Sequence, residues 1–162
     1  MTCNPIPHVE EKGVYTLLVK VDSIKRVQVG RLGQLRFSGL YAYTGSAVGR
    51  GSTSLGGRVS RHLRNEKKTR WHIDYLLRCP SAEVRGVVTS RTGIKIKECE
   101  VSQTILNSGW RVVAVDRFGS SDCSCRSHLV HMEGGLHGAL QAILRAHKGS
   151  GLTPRVFRST SC

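Results

Sequence analysis

At 162 residues the chain holds one domain with a substantial core, or a domain plus a short appendage. Its 25 Lys and Arg against 11 Asp and Glu give a formal charge of +14, and such self-repulsion is most easily relieved by a polyanion. The charge therefore points to nucleic acid, ahead of an anionic membrane surface, and no apolar run approaches the roughly 18 residues of a transmembrane helix.

Residues 1–12 read as a flexible lead-in without the apolar stretch of a secretory signal. Six cysteines and no such signal predict a cytoplasmic protein whose thiols are free or metal-bound, not disulfide-linked. Residues 13–21 (GVYTLLVKV) alternate as a strand, with Tyr15, Leu17, Val19 and Val21 on one face. VQVGRLGQLRF lies within a predicted hairpin excursion over 22–38 that turns at Gly30 or Gly33. A second strand over 39–45 (GLYAYTG) places Tyr41 and Tyr43 on one face and Leu40 and Ala42 on the other. A glycine-serine loop follows, then a helix from about 56 to 67 and a second over 71–78 (WHIDYLLR) before Pro80. Beyond them come a strand over 84–89, a helix over 95–107 and a short strand over 110–115. Residues 118–132 read as irregular, 136–147 as a last helix and 149–162 as a flexible basic tail. The pattern predicts a small α/β fold: a mixed sheet of three to four strands flanked by helices. Its main domain spans 13–132, and a C-terminal helix lies within 133–148.

A glycine-rich loop between strand and helix suggests nucleotide binding, but the loop fails both tests. GSAVGRGS lacks the glycine spacing and the Lys of a P-loop, and no G-x-G-x-x-G occurs in it. Arg58 and His62, four apart on the helix that follows, share one face, and a guanidinium there is an always-charged clamp for a phosphate oxygen. Arg50, Arg61, Arg64, Lys67 and Lys68 read as backbone-phosphate contacts. On the helix over 95–107, Glu98 shares the inward face with Val101, Ser102 and Ile105, whereas Glu100 points outward. An inward carboxylate needs a partner, which makes Glu98 the candidate metal ligand and Glu100 the runner-up. In WHIDYLL the apolar residues read as core, with His72 or Asp74 as candidates for the edge of a site.

The ordered set Gly13-Val14-Tyr15, Tyr43-Thr44-Gly45 and Arg58-x-x-x-His62, followed by WHIDYLL and FGSSDC, resembles the GIY-YIG nuclease superfamily. Within it the resemblance is to a branch found largely in archaea and some bacteria. It covers about residues 13–130, with Tyr15 and Tyr43 28 positions apart, wider than usual, so that 22–38 is an insertion. The resemblance implies an endonuclease that hydrolyses DNA phosphodiester bonds with one Mg²⁺ or Mn²⁺, leaving 5′-phosphate and 3′-hydroxyl ends. It implies Tyr15 as general base or water-orienter, Tyr43 as its support, Arg58 and His62 at the phosphate, and Glu98 on the metal. A non-catalytic nucleic-acid-binding module on the same scaffold, or an RNA-processing nuclease, would carry the same charge.

The irregular segment holds Cys123-x-Cys125-x-x-His128. Structural zinc needs four such ligands, and His131, Cys99 or Cys79 would supply the fourth. Because Cys-x-Cys strains a tetrahedral site, the sequence favours buried reduced thiols that pack the loop, with Asp122 and His128 as caps, over zinc.

Overall fold

The structure is a computed structural model and describes residues 10–108 and 112–158. The lead-in expected over 1–12 falls largely outside these residues. Two long strands, β1 (Gly13–Gln28) and β2 (Gln34–Ala47), form one antiparallel hairpin around a 3₁₀ turn at Gly30–Leu32. The expected insertion is thus the outer half of this hairpin. A register shift between Val21 and Lys25 bends it, and Val29 and Phe37 return to the core.

Ser54 caps helix α1 (Leu55–Leu63) by accepting from the Gly57 amide. The helix ends several residues before the expected 67 because Lys67 folds back, and its Nζ donates to the carbonyls of His62 (2.7 Å) and Arg64 (2.9 Å). Helix α2 (His72–Leu77), strand β3 (Ala82–Arg91) and helix α3 (Lys97–Leu106) follow as expected. Then come β4 (Val112–Ala114), β5 (Leu129–Met132), α4 (Leu136–Gly149) and β6 (Pro154–Arg158).

Among the described residues the sheet has six strands in the order β4-β5-β2-β1-β3-β6, and every neighbouring pair is antiparallel. The expected mixed sheet of three to four strands is therefore larger and purely antiparallel. Two additions come from stretches read as irregular or flexible. β5 covers the free edge of β2, and β6, from the basic tail, covers that of β3. Unpaired backbone along a long edge gives even a weakly patterned segment a reason to extend.

Each face of the sheet is buried. Tyr15, Leu17, Val19, Tyr41 and Tyr43 face Leu55 and Val59 of α1 and Ile73 and Leu76 of α2. Val14, Leu18, Leu40 and Ala42 face Val101 and Ile105 of α3 and Ala139 and Ile143 of α4. Each fully buried aliphatic side chain contributes about 1.5–3 kcal/mol, so these two layers carry the fold. The cleft described below opens at the end of the sheet where β1 begins and β2 ends.

Candidate active site and thiol cluster

The strand register brings the tyrosines together. Tyr15 lies opposite Gly45 and Leu17 opposite Tyr43, so the two rings are diagonal neighbours on one face. A Cβ on Gly45 would collide with the phenol of Tyr15, which is why glycine stands there. His62 reaches under both rings from α1. Its Nε2 lies 2.8 Å from the Tyr15 hydroxyl, and its ring meets Tyr43 edge-on at 6.1 Å. Burial holds the Tyr15 and Tyr43 phenols well above their ordinary pKa, with Arg58 opposing the shift. Burial also lowers His62 to about 3, so the imidazole is neutral at physiological pH.

Tyr15 and Tyr43 line a cleft of about 520 Å³ together with Arg58, Arg70, Trp71, His72, Lys95, Glu98, Gly119 and Asp122. Four of the five expected catalytic residues, Tyr15, Tyr43, Arg58 and Glu98, thus share one wall-to-wall space. The fifth, His62, reaches it through Tyr15. Arg58 lies over the Trp71 indole at 5.0 Å, and its Nε is buried without a hydrogen-bond partner. It pairs with no carboxylate among the described residues, which leaves its charge to the cleft.

The other expected cations are distributed differently. Arg61 donates to both oxygens of the fully buried Asp74 (2.8 and 2.9 Å) and to the Lys68 carbonyl, so it is a structural tie. Burial alone would raise the Asp74 carboxyl, but Arg61 and the Trp71 and Arg70 amides outweigh it and hold the pKa below its ordinary value. Lys67 is spent on the end of α1, and with Arg64 it borders a separate recess beside Leu77 and Glu83. Lys68 is exposed, and Arg50 is exposed between the cleft-lining Gly49 and Thr53. In place of Arg61 and Lys67, Arg70 and Lys95 line the cleft. Sequence reading missed both, because an isolated cation in a turn carries no periodic signal.

His72 belongs to the cleft as well. The Gly119 amide donates to its Nδ1 (2.9 Å), which leaves Nε2 as the protonated nitrogen of the neutral ring, and burial lowers its pKa. Gly119 has φ of +72°, and a Cβ there would press on Tyr43. Asp74, the other candidate for the edge of the site, lies inside the core instead.

Glu98 opens the first turn of α3 and is 15% exposed, whereas Glu100 pairs with Lys97 (2.7 Å) on another side of the helix, away from the cleft. Glu98 Oε1 lies 3.0 Å from Nδ1 of the buried His128. The approach is too poorly aligned for a hydrogen bond, so Nδ1 remains unpaired. Nε2 of the same ring faces sulfur, 3.5 Å from Cys123 Sγ and 3.8 Å from Cys99 Sγ. With Cys125, these residues form a group whose ligand atoms all lie within 4.8 Å of one another and which could hold a metal ion. Of the three candidates for the fourth position, the structure brings in Cys99. His131 instead sits 3.0 Å from the Ser38 carbonyl, and Cys79 lies outside the group. The donors thus converge, an arrangement that fits both the packed reduced thiols that the sequence favoured and a bound metal ion.

The fold and site define a small α/β domain with a basic two-tyrosine cleft backed by a Cys₃His cluster. A family model described as domain of unknown function DUF123 matches residues 14–151, and the chain belongs to that family. No curated protein and no solved structure matches the chain. No helix among the described residues is long and apolar enough to cross a membrane.

Proposed function

We propose that the protein is a divalent-metal-dependent endonuclease that hydrolyses DNA phosphodiester bonds at this cleft, by chemistry like that of the GIY-YIG nucleases. The observation that carries the reading is the convergence of Tyr15, Tyr43, Arg58 and Glu98 on one cleft, with His62 2.8 Å behind the Tyr15 hydroxyl. The formal charge of +14 favours a nucleic-acid substrate. A cytoplasmic setting, where thiols stay reduced, suits the four free cysteines among the described residues.

Glu98, with Asp122 also lining the cleft, offers the oxygen donors that one Mg²⁺ or Mn²⁺ takes while it keeps several waters. When bound, the ion supplies an acidified water and positive charge opposite the phosphate. The cluster of soft donors does not suit Mg²⁺, and in this reading it takes zinc outside the reaction.

The chain's own groups do the positioning. Arg58 clamps a non-bridging oxygen, and Arg70 and Lys95 hold the flanking backbone. Burial raises the pKa of the Tyr15 phenol while Arg58 opposes it, and its hydroxyl lines the cleft as orienter or general base for the attacking water. His62 fixes that hydroxyl, and Tyr43 walls the ring. Water oxygen joins phosphorus as the bond to O3′ breaks, leaving a 5′-phosphate and a 3′-hydroxyl.

The test is a cleavage panel of single-stranded, duplex, flap and junction DNA, and of RNA, with Mg²⁺ and Mn²⁺. Cutting that is lost in Glu98→Ala and Arg58→Ala supports the reading, and a preference for RNA would move the substrate. Salt-sensitive binding with no turnover on any substrate would make the protein a binding module.

A further inference from the structure

The thiol cluster and the cleft meet at one residue. Glu98 and Cys99 are neighbours on the first turn of α3, and one faces the cleft while the other faces the cluster. His128 joins them, with Nε2 toward the sulfurs and Nδ1 toward the Glu98 carboxylate. We infer that Cys99, Cys123, Cys125 and His128 form a closed zinc centre that, through His128, holds the Glu98 carboxylate in place in the cleft. The placing of Glu98 rests on the nuclease reading; the zinc centre does not.

The geometry suits zinc closely. A tetrahedral ion with Zn–S near 2.3 Å and Zn–N near 2.0–2.1 Å sets sulfur and nitrogen roughly 3.5 Å apart. Two of the three sulfur-to-nitrogen distances, from Cys123 and Cys99, are 3.5 and 3.8 Å. The widest spacing, within 4.8 Å, requires a contraction of about 1 Å from the roughly 3.8 Å of a tetrahedral sulfur pair. Four protein donors leave no open position, which marks a structural centre and not a catalytic one.

The loop that carries Cys123 and Cys125 has reason to need such a tie. It lies between β4 and β5 and is closed by few backbone bonds, among them Arg117 to Arg126 and His128 to Phe118. One side-chain bond, from Ser102 Oγ to the Ser127 carbonyl, already fastens it to α3. Zinc on Nε2 assigns the ring proton to Nδ1, a buried nitrogen without a hydrogen-bond partner. A small turn of the ring or of the carboxylate, which lie 3.0 Å apart, then aligns that N–H to donate to Glu98 Oε1. Carboxylate, imidazole and metal in series are a known way to orient a ligand and raise its basicity.

The experiment uses full-length protein prepared without chelator. Elemental analysis should give about one zinc per chain. Replacement by Co²⁺ should give the thiolate-to-metal absorption and intense visible bands of a tetrahedral sulfur site. A competition titration against a chromophoric chelator then yields zinc affinity. Glu98→Ala should weaken it by about 10-fold or more, whereas Arg58→Ala should leave it unchanged. Cys123→Ser should lose the metal. Should that variant fail to fold, the cobalt spectrum and titration of the unaltered chain decide alone.

Metal-free protein without cobalt bands, and with a melting temperature unmoved by chelator, overturns the centre. Zinc bound with equal affinity in Glu98→Ala overturns the link. Zinc bound and weakened by Glu98→Ala, in a protein that cuts no nucleic acid, upholds both and removes only the nuclease reading.

Discussion

Two buried histidines sit on opposite faces of the same sheet, and they differ in one respect. His147, on α4, has both ring nitrogens bonded: Nε2 lies 2.9 Å from Thr16 Oγ1 and Nδ1 2.8 Å from Ser90 Oγ. Thr16 continues to Thr44 at 3.1 Å, which makes a polar chain across three strands and a helix with no route to a cleft. His62, on the tyrosine face, has one nitrogen on Tyr15 and the other buried without a partner. Satisfied polar networks lock a core, whereas a buried group left short of a bond costs stability and is tolerated where it serves a site. Burial and residue type are the same in both cases; the partner count separates them.

The sharpest contrast is between the two faces in activity. Arg58→Ala, on the cleft face, is expected to lower cleavage about 10³-fold with the fold intact, measured under single-turnover conditions. His147→Ala should leave the rate per folded molecule within about twofold of the unaltered chain. If His147→Ala reduced the rate as Arg58→Ala does, the division of labour between the faces would be wrong.

Stability should order the variants differently. Arg61→Ala strips the buried Asp74 of its bidentate partner and should cost about 3–5 kcal/mol in urea unfolding. Its effect on the salt dependence of DNA binding should be nil, because the guanidinium never faced the phosphates. A salt slope reduced by about one would restore Arg61 to the binding surface. His147→Ala follows, at about 1–3 kcal/mol, since it leaves the Ser90 hydroxyl buried and unpaired and Thr16 with Thr44 alone.

Acid provides a gentler test. His147 is lowered to about 4 and His62 to about 3, both by burial, against an ordinary value of 6.5. Below 6.5 the unfolded chain takes up protons that the folded chain refuses, so stability falls as pH falls. Each group contributes up to about 1.4 kcal/mol per pH unit, His147 from 6.5 down to about 4 and His62 on to about 3. Unfolding followed between pH 7 and 4 should show this slope, and His147→Gln should flatten it by about half. A slope that His147→Gln does not alter would mean that the buried ring is already protonated.

The smallest effect concerns Arg70. Its replacement by Ala should weaken DNA binding uniformly across sequences and reduce the salt slope by about one.

The sequence by itself determined the central hairpin and its two faces, because alternation over GVYTLLVKV and GLYAYTG leaves only one way to bury Tyr15 and Tyr43 together. It also determined Arg58 and His62 as a helical pair, and Glu98 in place of Glu100, through the period of one helix turn. These are local rules, acting over a few residues. Tertiary structure alone decided which cations face the cleft: Arg61 and Lys67 were drawn away by Asp74 and by helix-end carbonyls, while Arg70 and Lys95 were brought in. It alone made strands of β5 and β6, whose few residues hold too little pattern to declare themselves until an open edge of β2 or β3 lies alongside. Cys99 was chosen over His131 and Cys79 by the packing of α3 against the loop before β5, a contact between segments far apart in the chain. No periodicity encodes such a meeting, because side-chain spacing fixes direction along one element and says nothing of which elements will be neighbours.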